Sequence, residues 1–244
     1  MRITFLGCKG SLQTECDLNT SLLLEDDKGA ILVDCSGSLS KCVKSNISDV
    51  ILTHEHIDHM YGLPSLLHQM WLSGRSDKLV IHGSGEALEL AERLVDTFKL
   101  KTKKGMFEIS FEEMKPFVSD GVSVDFFSTS HTSCSFGLIF TSYGRKIVYT
   151  SDTQPIKSPC KAMMHPDLLI TEASGIESDK PALVDKGHQS GLDAALLAES
   201  LGAASLKLVH LPESQAKCFM IESEARREFP SASIASPMEV FEVL

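Results

Sequence analysis

Six consecutive positions read His54, Glu55, His56, Ile57, Asp58 and His59, and four of those side chains, His54, His56, Asp58 and His59, are candidate nitrogen or carboxylate donors to a metal ion. Three of the chain's nine histidines fall in this window, a crowding that argues against an accidental polar loop. The run follows the apolar stretch Val50 to Leu52, which reads as a buried strand ending at Thr53, so the donors sit where rigid backbone opens into a loop. His54 and His56 are two apart, and on an extended segment both point to one side and can share one ion. Asp58 and His59 are adjacent and aim elsewhere. The spacing therefore implies two ions rather than one.

Three more candidate donors occupy the same kind of position, at the end of an apolar strand. His131 follows Val124 to Phe127 and a short Ser/Thr run, Asp152 follows Ile147 to Tyr149, and His210 follows Leu206 to Val209. Strand ends on one edge of a sheet converge. Two ions, each taking four to five nitrogen and oxygen donors, would be served by His54, His56 and His131 on one side and by Asp58, His59 and His210 on the other. Asp152 can bridge them through its two oxygens. A donor set of His and Asp without thiolate favours two divalent metal ions in an open catalytic site, zinc first, with manganese or iron as alternatives.

The elements that must position these groups are legible along the chain. Ile3 to Leu6 is strand-like, Ser21 to Leu24 and Ala30 to Val33 form a hairpin pattern, and Asp34 closes the second of these strands. Leu39 to Val43 is a short amphipathic stretch, and Leu63, Leu66, Leu67, Met70 and Trp71 recur at helical spacing with Pro64 in the first turn. Leu79 to Ile81 reads as a strand, and Ala87 to Phe98 as an amphipathic helix. The second half repeats this layering: Val122, Val124 and Phe126 alternate, Gly137 to Thr141 pairs with Lys146 to Thr150 across Tyr143 and Gly144, and Leu168 to Thr171 is a buried strand. A helix over Leu192 to Leu201 stops at Gly202, and Leu206 to Val209, Ile221 to Phe229 and Met238 to Val243 read as strand, helix and strand. Such alternation predicts a sheet-on-sheet core with helices outside, in one metallo-hydrolase domain over residues 1–244 made of two similar halves.

Composition narrows the function. A chain of 244 residues that is 43% hydrophobic can bury a large core. Its formal net charge of -10 supplies no general attraction to nucleic acid or anionic lipid, so any phosphate recognition has to be local. The apolar segment near Met1 is too short for a signal-peptide core, and no apolar run is long enough to span a bilayer. Seven cysteines form no C-x-x-C pair, which argues against a disulfide framework. A cytoplasmic protein without a membrane partner is the expectation.

The motif His54 to His59 resembles the H-x-H-x-D-H signature of the metallo-β-lactamase superfamily, and the likeness is nearest to its ribonuclease Z branch. Thr4-Phe5-Leu6-Gly7, Asp34-Cys35, Tyr61-Gly62-Leu63-Pro64, Ser151-Asp152-Thr153, Thr171-Glu172-Ala173 and Gly187-His188 carry it further. The resemblance implies an α/β fold, a four-layer αβ/βα sandwich, with His54, His56, Asp58, His59, His131, Asp152 and His210 as metal ligands, and it suggests a homodimer. Two departures stand out. Members that mature transfer RNA insert a long arm between the positions of His131 and Asp152, where this chain has twenty residues, and Leu211-Pro212-Glu213 replaces the Ser and Arg expected after His210.

The chemistry expected is a phosphodiesterase reaction on a small or accessible phosphodiester, a small molecule or a short nucleic acid. Two dications against Asp58 and Asp152 leave a cationic site, and a metal-bridging hydroxide forms because the metals lower the pKa of a shared water from about 15.7 toward 7. Asp58 orients that hydroxide or takes its proton, and His188 is the candidate proton donor or phosphate contact, its tautomer fixed by Glu172. A lactonase or thioesterase of the same superfamily and a non-catalytic ligand sensor are the competing readings. Among the duller roles, Asp34 orients a ligand histidine, Glu55 faces solvent, Ser151 and Thr153 hold the loop around Asp152, His68 is helix surface or core edge, and His82 and His165 are turn residues.

Overall fold

The computed structural model describes residues 1–243. Its first half contains β1 (Arg2–Gly7), β2 (Ser21–Glu25), β3 (Ala30–Val33), α1 (Leu39–Lys44), β4 (Ile47–Leu52), α2 (Ile57–Met60), α3 (Leu63–Leu72), β5 (Leu79–Gly83), α4 (Gly85–Thr97) and β6 (Ile109–Glu113). There follow β7 (Phe117–Ser119), β8 (Val122–Ser128), β9 (Phe136–Ser142), β10 (Arg145–Tyr149), β11 (Leu168–Glu172), α5 (Lys180–Asp185), α6 (Gly191–Leu201), β12 (Leu206–Val209), α7 (Gln215–Glu228), β13 (Ala232–Ile234) and β14 (Val240–Glu242).

Two seven-stranded sheets result, ordered β14-β1-β2-β3-β4-β5-β6 and β13-β12-β11-β10-β9-β8-β7. In each, an antiparallel meander leads into a parallel run: β1, β2 and β3 are antiparallel and β3 to β6 parallel, while β7 to β10 are antiparallel and β10 to β13 parallel. The inner strands of the parallel runs are buried on both faces, which is why they read as continuous apolar stretches rather than alternating ones. In β2 and β3, Leu22, Leu24, Ile31 and Val33 face the inter-sheet core shared with Val124, Leu138, Phe140 and Tyr149, while Leu23 and Leu32 face the helices. A second core joins the first sheet to α3 and α4, and a third joins β11 and β12 to α6 and α7. The order of layers is therefore helices, sheet, sheet, helices, as the resemblance implies.

Several elements depart from the sequence reading for visible reasons. Helix α7 begins at Gln215, six residues before the apolar pattern suggests, because only Cys218, Ile221 and Ala225 are buried and Ser214 caps the start by accepting from the Lys217 amide at 3.4 Å. Strand β6 has no fully buried residue, and its apolar signal is correspondingly weak. Pairing with β6 extends β5 through His82 and Gly83, which corrects the reading of His82 as a turn residue. Its Nε2 donates to Asp49 at 2.8 Å, its ring stacks on Phe117 at 4.2 Å, and Ser119 of the second sheet donates to the other Asp49 oxygen. Burial opposes charge on Asp49, but these bonds hold its carboxyl below the usual range. His165, with φ of 55°, is a turn residue as expected, and His68 lies half-buried on α3.

Candidate metal centre

The strands that carry the candidate donors all run the same way, so their C-terminal ends open on one edge of the sandwich. β3 delivers Asp34, β4 delivers His54, β8 delivers His131, β10 delivers Asp152, β11 ends in Glu172 and β12 delivers His210. Asp34, Ser151 and His210 each leave their strand with φ between 53° and 55°, a left-handed turn that L-residues adopt at a cost. That turn swings the chain off the sheet. The His54–His59 run is bent, not extended: His56 precedes the single helical turn α2, which carries Asp58 and His59. His54 and His56 still meet, Nε2 to Nδ1, at 3.1 Å.

All seven residues singled out as donors come together. His54, His56 and His131 form one group, Asp58, His59 and His210 another, and His54, His59 and Asp152 a third between them. One oxygen of Asp152 lies 3.1 Å from His210, 3.5 Å from His59, 3.7 Å from His131 and 3.9 Å from His54. It sits at the junction of both groups. His188 and Glu172 adjoin them, with His188 within donor distance of His131 and Asp152.

The outward-facing nitrogens settle the orientation of the rings. His54 Nδ1 meets the Thr53 hydroxyl at 3.1 Å, His59 Nδ1 donates to Asp34 at 2.8 Å, His131 Nδ1 donates to the Gly187 carbonyl at 3.0 Å, and His210 Nδ1 donates to Ser174 at 3.0 Å. Ser174 in turn donates to Glu172 at 2.7 Å, so its oxygen is free to accept from His210. With Nδ1 protonated in these four rings their Nε2 lone pairs point inward, while His56 turns Nδ1 toward His54 and His131, the arrangement in which imidazoles coordinate cations. Asp34 does more than the sequence suggests, since it also accepts from the Thr53 amide at 2.9 Å and from the Thr53 hydroxyl, which receives Ser151 at 2.9 Å. One carboxylate thus orients His59 directly and His54 through Thr53.

Electrostatics point the same way. Burial, with His59 beside it, pushes His54 down to about 2, so it is neutral at pH 7. Burial lowers His131 too. His210 resists burial and rises to about 9 because Asp152 and Asp58 lie against it, and His59 is raised by Asp152 and Asp34. Burial opposes charge on Asp58 and Asp152, but the adjacent histidines hold both carboxyls low. Two buried polar atoms at the centre, Asp152 Oδ1 and His210 Nε2, have no hydrogen-bond partner. Leaving such atoms unpaired is costly in an apolar interior, and a divalent cation is the group that satisfies a carboxylate oxygen and an imidazole nitrogen together. The residues fit the group.

Thr53 and Ser174 are the contributors that sequence reasoning missed, since a hydroxyl next to a donor carries no signal of its own. Glu55 is half-buried and accepts from Thr132 at 3.1 Å, rather than simply facing solvent. Between His131 and Asp152 the chain forms only a short loop and the β9–β10 hairpin.

This fold and donor pattern have known counterparts. Residues 30–211 match the β-lactamase superfamily domain, and the chain belongs to that family. Along nearly its full length it is similar to the probable metallo-hydrolase YhfI of Bacillus subtilis, with 27% identity covering 93% of this chain and 92% of the relative. The crystal structure of that protein superposes with a TM-score of 0.83, covering 98% of each chain at 25% identity. A ribonuclease Z of Bradyrhizobium diazoefficiens is 24% identical, covering 97% of this chain and 98% of the relative.

Proposed function

We propose that the chain is a dinuclear metal-dependent phosphodiesterase, with His54, His56 and His131 holding one cation, Asp58, His59 and His210 the other, and Asp152 shared. When bound, two divalent ions, zinc in the first instance, supply Lewis acidity and a water acidic enough to attack at neutral pH. The rest is the work of side chains. Asp58, kept as a carboxylate and touched by the Ser11 hydroxyl at 3.2 Å, orients the attacking water and accepts its proton. His188 donates Nδ1–H to both oxygens of Glu172 at 3.1 Å, which leaves Nε2 as the atom that faces substrate, and it is in its imidazolium form that the ring hands the Nε2 proton to the departing alkoxide and returns to neutral imidazole. Glu172 also accepts the Thr153 amide at 2.6 Å, so the loop after Asp152 and the proton donor share one anchor.

The observation that carries this reading is the place of His188. Its ring lies 4.8 Å from that of His131 and 5.1 Å from that of His210, on the side where His56 reaches solvent, while His54, His59 and the His131 ring are closed off below. A proton donor at the open rim serves a poor oxygen leaving group. The resemblance to ribonuclease Z supports the choice of phosphorus over carbon as the centre attacked. Metal-loaded protein should hydrolyse bis-p-nitrophenyl phosphate, and His188→Asn should slow an alkyl phosphodiester by about a hundredfold or more while sparing the p-nitrophenyl ester, whose leaving group needs no acid. Turnover confined to lactones or thioesters would overturn the assignment.

A further inference from the structure

A cleft of about 370 Å³ is lined by Tyr61, Pro64, His68, Phe98, Leu100 and Lys103. The segment that closes it, Phe98-Lys99-Leu100-Lys101-Thr102-Lys103-Lys104, places four lysines in six residues without an acid, in a chain whose acidic residues outnumber its basic ones 33 to 23. Buried Leu100 pins the segment, and Lys99, at φ of 52°, turns it out of α4. Lys101 is occupied by Glu92 at 3.3 Å and Asp96 at 3.7 Å. Lys99, Lys103 and Lys104 make no ion pair among the described residues, and the Lys103 ammonium lies 4.9 Å from the centre of the Trp71 ring. Lys103 lines the cleft itself, and flat apolar faces accompany it. Phe98 is 59% exposed and Tyr61 40%, and the His68 and Trp71 rings lie 5.4 Å apart.

Unpaired ammonium groups interleaved with exposed rings are what a single nucleic-acid strand requires, phosphates taking the charges and bases the faces. A lipid surface is a poorer match, because the apolar groups line a cleft and exposed Glu86, Glu89, Glu92 and Asp96 on adjoining α4 would repel an anionic bilayer. The same acids confine a polyanion to the cleft. Continuity with the centre runs through Tyr61, which directly follows the helical turn bearing Asp58 and His59. Its hydroxyl donates to the Ser36 carbonyl at 2.6 Å and accepts from Gln13 at 2.8 Å, which holds the ring at the boundary between the two sites.

We propose that this cleft binds single-stranded RNA, gripping nucleotides remote from the bond to be cut; only the claim that a phosphodiester is cut rests on the function proposed above. The test uses the full zinc-loaded chain, its Lys99→Ala/Lys103→Ala/Lys104→Ala variant and Phe98→Ala, with a fluorescein-labelled uridine RNA of about twelve nucleotides followed by anisotropy at several salt concentrations. The triple variant should bind at least about tenfold more weakly and its log-log salt slope should fall by about 2, with Phe98→Ala weakening binding about tenfold at unchanged slope. Unfolding temperature and bis-p-nitrophenyl phosphate turnover should match wild type. Equal RNA binding by wild type and triple variant, or no binding by wild type, would overturn the site even if the phosphate ester is hydrolysed. Lysine-dependent RNA binding without any phosphodiester turnover would support the site and count against the catalytic proposal alone.

Discussion

Asp34 and Glu172 occupy matching places, each a fully buried carboxylate at the end of a strand in the parallel run of its sheet, yet they hold different kinds of partner. Asp34 fixes His59 directly and His54 through Thr53, two rings with essentially no exposure. Glu172 fixes His188, whose side chain is 18% exposed, and reaches His210 only through Ser174. One half of the molecule therefore builds a closed floor and the other a rim that meets solvent. Rigidity is needed where cations are to be held, and access is needed where a proton is to be passed.

The largest effect should come from the group that joins the two halves. Asp152→Asn is expected to lower bound metal by at least one equivalent by elemental analysis, and to reduce phosphodiester turnover on the order of a thousandfold, because four histidines converge on the carboxylate that it removes. Next comes the rim. Glu172→Gln should lower kcat by about a hundredfold with two equivalents of metal retained, since a neutral amide removes the negative charge that faces the imidazolium form of His188. If that variant loses metal to the same degree as a floor variant, the contrast between the halves fails.

For the floor itself, Asp34→Asn should weaken zinc binding about 10- to 100-fold in competition with a chelator, because an amide donor would oppose either His59 Nδ1–H or the Thr53 donors. The smallest effect is one of pH. In the metal-free chain His210 holds its proton up to about pH 9 and His59, a ligand of the same cation, is raised as well, so a cation must displace protons and its affinity should rise by at least about tenfold per pH unit below 9. Calorimetric titration in buffers of different ionisation heat would count the protons released. The same raised pKa stabilises the metal-free fold fully below about pH 6.5 and is lost as pH climbs through 9, so its unfolding temperature should fall across that window.

The sequence disclosed the donors more completely than the groups that aim them. His54 to His59 is visible as a cluster, and His131, Asp152 and His210 are visible because each terminates an apolar run, a position that a strand imposes whatever its partners. Thr53 and Ser174 are invisible because their role depends on which strand ends meet, a property of topology rather than of any local pattern. His82 reads as a turn residue for a related reason: β5 is extended by pairing with β6, whose half-exposed residues carry little periodic signal. Helix α5 has no buried residue at all, so no apolar stripe could announce it.

The left-handed exits at Asp34 and His210 reach beyond the present chain. Aspartate, asparagine and histidine tolerate that backbone conformation better than most residues with a β-carbon. At these two corners the conformational filter and the chemical one thus select overlapping side chains. Anyone transplanting the centre into a different sandwich would have to copy the corners together with the donors, and exchanging His210 for a glutamate or cysteine would meet resistance from the main chain before the preference of any cation came into play.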